Sequence, residues 1–376
     1  MNISDSVLKS EERAILTLRS LYRRFGYSSY KMNKFEEYDL YVRNKSFLVS
    51  DDIITFTDRS GKLLAMKPDV TLSIVKNTTD TEGDVRRLCY DESVYRVPKG
   101  DHAFREITQV GLECIGDIES LHTAEVLFLA AKSLSLISER FVFSVSHLGI
   151  LSSVLESAGV SSDARGEFLR ALGEKNLDGI TELAECYGLS SESTDALRLL
   201  VTAHGTPSEV LPRLSALMLS ECGANALAEL SAMMQTLESR FPANTVFIDF
   251  SVTSDMTYYG GIVFKGFING IASSVLSGGS YDPLMHRMGK KSRAIGFALY
   301  LDLLERLPFG DGDTEGETLL LCDSGVSASL LLDTMQSLTE KGCSVRFVTQ
   351  IPTNTECARI LRLSKDGTVK EVALNA

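Results

Sequence analysis

Residues 105–116 read Arg-Glu-Ile-Thr-Gln-Val-Gly-Leu-Glu-Cys-Ile-Gly. Side chains alternate along a strand, so Arg105, Ile107, Gln109, Gly111 and Glu113 share one face. Phe104, Val110, Leu112 and Cys114 fall on the other face, and Thr108 is the exception. Gln109 and Glu113 would stand about 13 Å apart along such a strand. Gly111 leaves open space between them. A face of this kind can hold a small polar molecule, with an amide at one end and a carboxylate at the other. Taken alone, the same residues also fit a solvent-exposed strand face.

The flanking segments alternate in character. Upstream, Ile15, Leu18, Tyr22 and Phe25 define one face of a helix over 11–25 that stops at Gly26. Residues 53–57 and 62–66 read as strands around the turn cluster Asp58-Arg59-Ser60-Gly61. A short helix is expected after Asp69, a residue suited to an N-cap. A strand over 86–96 precedes the quoted stretch, and a helix over 120–136 and a strand over 141–146 follow it. From about 150 to 238, Leu and Ala recur at three- and four-residue spacing, which predicts a helical insertion. Strand character returns at 245–252. Strands at 261–268 and 271–276 flank the hairpin dipeptide Asn269-Gly270. The Gly278-Gly279 pair reads as a tight turn, and a helix is expected over 294–307. Residues 308–317 are a polar, Gly-rich linker, and strand–helix–strand patterns at 318–322, 326–341 and 344–349 predict a small C-terminal α/β unit. The expected division is therefore a core over 1–307, the linker 308–317 and a domain over 318–376.

Composition narrows the class. The chain has 376 residues, 44% of them hydrophobic, enough for a large core in a globular protein of more than one domain. The formal net charge of −12 argues against nucleic acid as the main partner, since phosphate backbones are held by an excess of Lys and Arg. The one dense basic run, His286 to Arg293, reads as a solvated loop rather than a phosphate contact. The seven cysteines form no CxxC or Cys/His cluster, so no metal site is expected, and unpaired cysteines fit a reducing cytoplasm. No signal peptide and no uninterrupted apolar run of membrane-spanning length is read in the chain.

Four ordered segments carry a family resemblance: Lys67-Pro68-Asp69-Val70-Thr71; RLCYDESVYR followed by REITQVGLECIG; TYYGGIVFKGF followed by LSGGSYDPL; and RAIGFALYLDLL. In order and spacing, over about residues 10–307, they resemble the catalytic core of histidyl-tRNA synthetases. The resemblance implies an α+β, class II aminoacyl-tRNA synthetase-like fold, an antiparallel sheet flanked by helices, usually dimeric. It also implies a histidine pocket. Asp69 would meet the substrate ammonium, and Thr71 and Gln109 the amino end. Glu113 and Tyr259 would read the imidazole, and Arg96 would face a carboxylate or phosphate. Gly278 and Gly279 would let the backbone approach the ligand, and Tyr258 is assigned no contact.

The nucleotide half of the pattern is absent. Ser254, next to Asp255, stands where the synthetases have a catalytic arginine. Tyr300 and Leu303 replace the glycine and arginine of motif 3, and Pro98 replaces the glutamate that reads adenine. Asn33 stands where motif 1 has proline. Adenylation needs preorganised cations where charge develops on phosphate. A synthetase core lacking them resembles the regulatory subunits of ATP phosphoribosyltransferase. That resemblance implies a chain with no catalytic activity or cofactor of its own. It would assemble with a short-form catalytic subunit, as a homodimer within a hetero-oligomer, in the first step of histidine biosynthesis. Histidine would be its feedback effector. The short C-terminal tail without an evident basic face implies no transfer-RNA contact. Two other readings remain open at this point, a divergent histidyl-tRNA synthetase and a class II paralogue binding another amino acid.

Overall fold

The computed structural model describes residues 8–45, 48, 52–80, 83–97, 103–252, 258–306, 318–341, 343, 345–351, 357 and 359–372. The expected linker, Pro98, Ser254 and Asp255 lie outside the described residues. The chain divides into two compact units, Glu11–Leu307 and Pro308–Ala376, the second grouped with Met1–Ser10.

The larger unit is built on a nine-stranded sheet. Its order is Ser28–Ser29, Val85–Arg96, Arg105–Gly116, Arg293–Tyr300, Leu276–Ser280, Ile262–Ile268, Phe141–His147, Val246–Asp249 and His204–Gly205. Neighbours run antiparallel except at two places: Ser28–Ser29 is parallel to Val85–Arg96, and Phe141–His147 is parallel to Val246–Asp249. The sheet is therefore mixed, with an antiparallel centre. Its two longest strands, Val85–Arg96 and Arg105–Gly116, pair along their whole length.

Register assigns the faces. Glu113 lies opposite Gly296 and Leu88, Gly111 opposite Ala298 and Tyr90, and Gln109 opposite Tyr300 and Glu92. The reverse face carries Leu112, Phe297, Gly278 and Phe264 in one row. Two helices cover that apolar face. Ser10–Arg24 brings Leu18 and Tyr22, whose ring meets Phe297 at 6.0 Å and whose hydroxyl meets Ser133 Oγ at 2.9 Å. Ser120–Ile137 buries Val126, Leu127, Leu129, Ala130, Ala131 and Leu134. Its length and composition alone would suit a membrane span, but those residues make it a core helix of the sheet. Phe25, expected on the first helical face, falls beyond the helix and is 39% exposed.

The opposite face is partly roofed by the helices Thr71–Asn77 and Asp282–Arg287. Val70, Leu72, Ile74, Val75, Leu284 and Met285 form one apolar cluster with Tyr90, Val94, Ile107 and Tyr281. A three-stranded sheet, in the order Phe35–Glu37, Leu63–Met66, Thr55–Thr57, feeds into the first of these helices. Its hairpin turns where expected, with Asp58 Oδ1 accepting from the backbone N–H groups of Ser60 and Lys62. Lys67 ties this sheet to the large one. Its N–H donates to the Lys34 carbonyl, its own carbonyl accepts from Tyr95, and its buried ammonium meets Glu92 at 2.8 Å.

The insertion is helical as expected, with six helices from Leu148–Ser157 to Glu221–Glu238 and only the short edge strand His204–Gly205 between them. Three local expectations fail. Residues 294–307 are not a helix: Arg293–Tyr300 is a central strand, followed by a 3-10 turn over Leu301–Arg306. A central strand is buried on both faces, so its apolar run has no alternation to separate it from a buried helix. The strand after Asn269-Gly270 starts at Leu276 rather than at 271, and Gly278-Gly279 lies inside it instead of forming a turn. Gly270 does take the left-handed conformation, but the loop runs on to Val275. The basic run 286–293 is not a free solvated loop either. Lys290 Nζ donates to the Thr78 carbonyl, Ser292 binds Asp80, and Arg293 pairs with Asp282 at 2.9 Å.

The smaller unit is α/β. Thr318–Cys322 is flanked by parallel Val345–Val348 and Arg359–Leu363, with Val369–Val372 antiparallel at the edge. Ala328–Glu340 packs Leu330, Leu331, Met335 and Leu338 on Leu320, Cys322, Leu361 and Leu363.

The Lys67–Glu92 pair generates a prediction. Removing one partner of a buried ion pair strands the other charge, at a cost of about 3–5 kcal/mol. Glu92→Ala is expected to destabilise the protein by that amount, and Lys67→Met combined with Glu92→Leu by much less. Chemical denaturation of both variants measures the difference, and equal losses would contradict the role given to the pair.

Candidate functional site

Glu113 is the centre of the site. It sits on a central strand and is 1% exposed, so the solvent-exposed alternative for this face does not hold. Its two oxygens are separately held. Thr71 Oγ1 donates to Oε1 at 2.9 Å, and the Tyr281 hydroxyl donates to Oε2 at 2.7 Å. Thr71 opens the Thr71–Asn77 helix, and Tyr281 immediately precedes Asp282–Arg287, so both roof helices are pinned to one carboxylate. Asp69 Oδ1 accepts from the Leu72 N–H at 2.8 Å. It fixes the first turn of that helix, although Val70 and not Asp69 occupies the N-cap position.

The other expected residues gather on the same side. Gln109, 5% exposed, shares the strand face of Glu113. The Tyr259 ring lies 4.5 Å from that of Tyr258, which in turn lies 6.2 Å from Tyr281. Tyr258, read from sequence as without a role, is thus part of a tyrosine wall. The Arg96 guanidinium is 5.7 Å from the centroid of the Tyr300 ring.

Glycines explain how a carboxylate fits inside a sheet. A methyl group at Gly296 would collide with Glu113 Oε2 and the Leu112 carbonyl, so only glycine leaves room for the acid opposite it. One at Gly279 would come within 2.7 Å of the Tyr259 ring, so its missing side chain seats that ring. Gly278 faces the other way, against Phe264 and Phe297, and serves sheet packing rather than a pocket. The space expected above Gly111 is not open, because the buried Tyr90 ring fills it and its hydroxyl donates to the Phe297 carbonyl at 3.4 Å.

Sequence reasoning missed Tyr281 and Gly296 as functional positions. Both lay inside quoted motifs, Tyr281 two residues after Gly279 and Gly296 in the run taken for a helix. A strand assignment for 293–300 would have placed Gly296 opposite Glu113.

Burial dominates the electrostatics. It pushes the Glu113 carboxyl up to about 8, against the pull of the Tyr281 and Thr71 hydroxyls and with the help of nearby Asp69. Burial also raises Asp69, opposed by its bond to the Leu72 N–H and by the field of Arg96. Burial raises Tyr258, Tyr259 and Tyr281, so all three remain phenols. This face of the sheet therefore gathers an acid and phenols, with a second carboxyl and a guanidinium nearby. This donor set suits a zwitterion carrying a polar heterocycle.

Tyr300 lies opposite Gln109 on the site face, its hydroxyl 2.8 Å from Ser277 Oγ. Leu303 sits on the following 3-10 turn.

A mostly antiparallel sheet with long paired central strands and a cluster of buried polar side chains on one face defines a class II synthetase-type core. An ATP phosphoribosyltransferase regulatory subunit/histidyl-tRNA synthetase from Bacillus halodurans has the same fold, with a TM-score of 0.73, 24% identity and 93% of each chain covered. The ATP phosphoribosyl transferase (HisG:HisZ) complex from Thermotoga maritima contains a chain that matches with a TM-score of 0.61 at 18% identity, covering 80% of this chain and 98% of that one. Residues 3–304 match the histidyl-tRNA synthetase family model. The ATP phosphoribosyltransferase regulatory subunit of Moorella thermoacetica is 30% identical over 335 residues, 87% of this chain and 85% of that one. The chain belongs to the histidyl-tRNA synthetase family and, within it, to the ATP phosphoribosyltransferase regulatory subunits.

The raised Glu113 acidity has a measurable consequence. A carboxyl whose folded pKa exceeds its unfolded value stabilises the fold at low pH, and that contribution is lost as pH rises from the ordinary carboxylate range to about 8. The loss can reach about 1.4 kcal/mol per pH unit within that window. Glu113→Gln mimics the neutral acid and escapes it. Its Tm relative to wild type is expected to improve steadily from pH 5 to pH 8.5. Calorimetry across that range checks the trend, and a pH-independent difference would contradict a neutral Glu113.

Proposed function

We propose that the pocket binds free histidine and that the chain is a regulatory subunit without catalytic activity of its own. It assembles with a short-form ATP phosphoribosyltransferase catalytic subunit, activates it, and carries feedback inhibition by histidine. The observation that carries this reading is the asymmetry of one sheet face. Glu113, held by Thr71 and Tyr281 beside Tyr259, keeps an amino-acid end, while Tyr300 occupies the place of a motif 3 glycine. Imidazole offers one donor and one acceptor, which an acid and a phenol can satisfy together. Asp69 takes the ammonium, with Thr71 and Gln109 lining that end, and Arg96 takes the carboxylate.

Adenylation lacks its charges on this reading. Losing one preorganised donor to developing charge costs about 10²–10³ in rate, and Ser254 and Leu303 replace two arginines of the synthetase pattern. Regulation follows if histidine binds one assembly state more tightly than another. The chain acts as a homodimer within the hetero-oligomer. Phe35 and Phe56, 48% and 38% exposed with rings 5.5 Å apart, and Leu63 give the small sheet an apolar surface suited to a partner.

Mixing this chain with a short-form catalytic subunit is expected to produce phosphoribosyl-ATP faster than the catalytic subunit alone, and histidine should suppress that gain. Glu113→Ala should preserve activation but weaken histidine inhibition about tenfold, the cost of a lost hydrogen bond in a buried site. Absence of activation by the wild-type chain would overturn the assignment. Histidine-dependent exchange of pyrophosphate into ATP by this chain alone would favour a synthetase instead.

A further inference from the structure

Arg96 is 8% exposed, and its side chain makes no hydrogen bond or ion pair with any described residue. A guanidinium stays charged at every physiological pH and carries five N–H donors. None of the Arg96 nitrogens is among the buried atoms left without a partner, so the fork still reaches solvent and is available to an incoming group. The one close partner present is the face of Tyr300, 5.7 Å away, within cation–π range.

That ring is itself fixed. The Tyr300 hydroxyl and Ser277 Oγ are 2.8 Å apart across neighbouring strands. Tyr300 pairs in register with Gln109, whereas Arg96 pairs with Arg105. The arginine side chain must therefore run back along the sheet, over the Arg105–Gly116 strand, to reach the ring. This turns it toward the row of Gln109 and within the field felt by Asp69. A flexible side chain is thereby held inward with its planar fork unpaired among the described residues, the geometry that takes a carboxylate bidentately.

We infer that Tyr300 is a positioning residue: through the Ser277–Tyr300–Arg96 relay it holds the arginine that reads the carboxylate of the bound amino acid. The inference rests on the histidine reading above and assigns Tyr300 a task beyond filling nucleotide space. Holding Arg96 in place before binding removes the cost of ordering it, which is where the affinity comes from.

Calorimetric titration with histidine and with histidinol, in which a hydroxymethyl group replaces the carboxylate, tests the relay. Tyr300→Leu keeps apolar bulk but removes the aromatic face. It is expected to weaken histidine about tenfold, the range of a desolvated cation–π contact, and histidinol less than about twofold. Tyr300→Phe keeps the ring and is expected to stay within about threefold of wild type for both ligands. Equal losses for the two ligands in Tyr300→Leu, or a Tyr300→Phe defect as large as that of Tyr300→Leu, would overturn the relay. So would unchanged histidine affinity in Tyr300→Leu. A wild-type chain that binds neither ligand would overturn the pocket assignment and this inference with it.

Discussion

Much of the larger unit depends on placing a carboxyl group inside a β-sheet. Glu113 is on a central strand and almost wholly removed from water. An unanswered acid there would cost several kcal/mol, so each oxygen must find a donor. The two donors come from elements far apart in sequence, Thr71 and Tyr281, each at the head of a short helix. Those helices carry much of the apolar cluster that roofs the same face. The polar contact and the hydrophobic roof thus specify one another: lose the hydroxyls and the helices lose their anchor, and lose the helices and the acid meets water. Gly296 completes the constraint, because no other residue opposite Glu113 leaves room for the carboxyl.

The same arrangement explains why the site can be both stable and receptive. A carboxyl pushed toward neutrality by burial is tolerable inside a sheet and keeps a proton it can donate. Tyr258, Tyr259 and Tyr281 pack their rings together beside Glu113, so shape is held by aromatic packing and orientation by a few directed bonds. Asp69 does two things at once. It ties the first turn of the Thr71–Asn77 helix and presents a second carboxyl, so the residue proposed to meet a ligand also sets the position of that helix.

What the sequence made legible follows physical lines. Strand alternation put Gln109 and Glu113 on one face correctly, because Arg105–Gly116 has a polar side to contrast with an apolar one. The insertion was legible from its three- and four-residue spacing. Arg293–Tyr300 was not, because it is buried on both faces and offers no period. The strand glycines misled for a related reason. Gly278, Gly279 and Gly296 are needed where backbone, ring and carboxyl crowd together, and that crowding exists only after distant strands have paired. Tyr281 was hidden in the same way: its partner is 168 residues away, and no local pattern announces it.

The nucleotide half of the face then acquires a physical explanation. A site for ATP needs several preorganised cations, and cations held together without their anion repel one another and lose hydration. If this chain senses an amino acid and never meets a triphosphate, such a cluster is a standing cost with no compensating ligand. Leucine at position 303 and tyrosine at 300 remove that cost. Tyr300 contributes ring packing and a bond to Ser277 in place of a void. Arg96 is the exception, buried and still cationic, and it has not been replaced by an apolar residue. Beside Asp69, it fits the proposed reading in which a negative group comes to it. On that reading, with Tyr300 and Leu303 in place of the motif 3 glycine and arginine, such a group is the carboxylate of the amino acid itself.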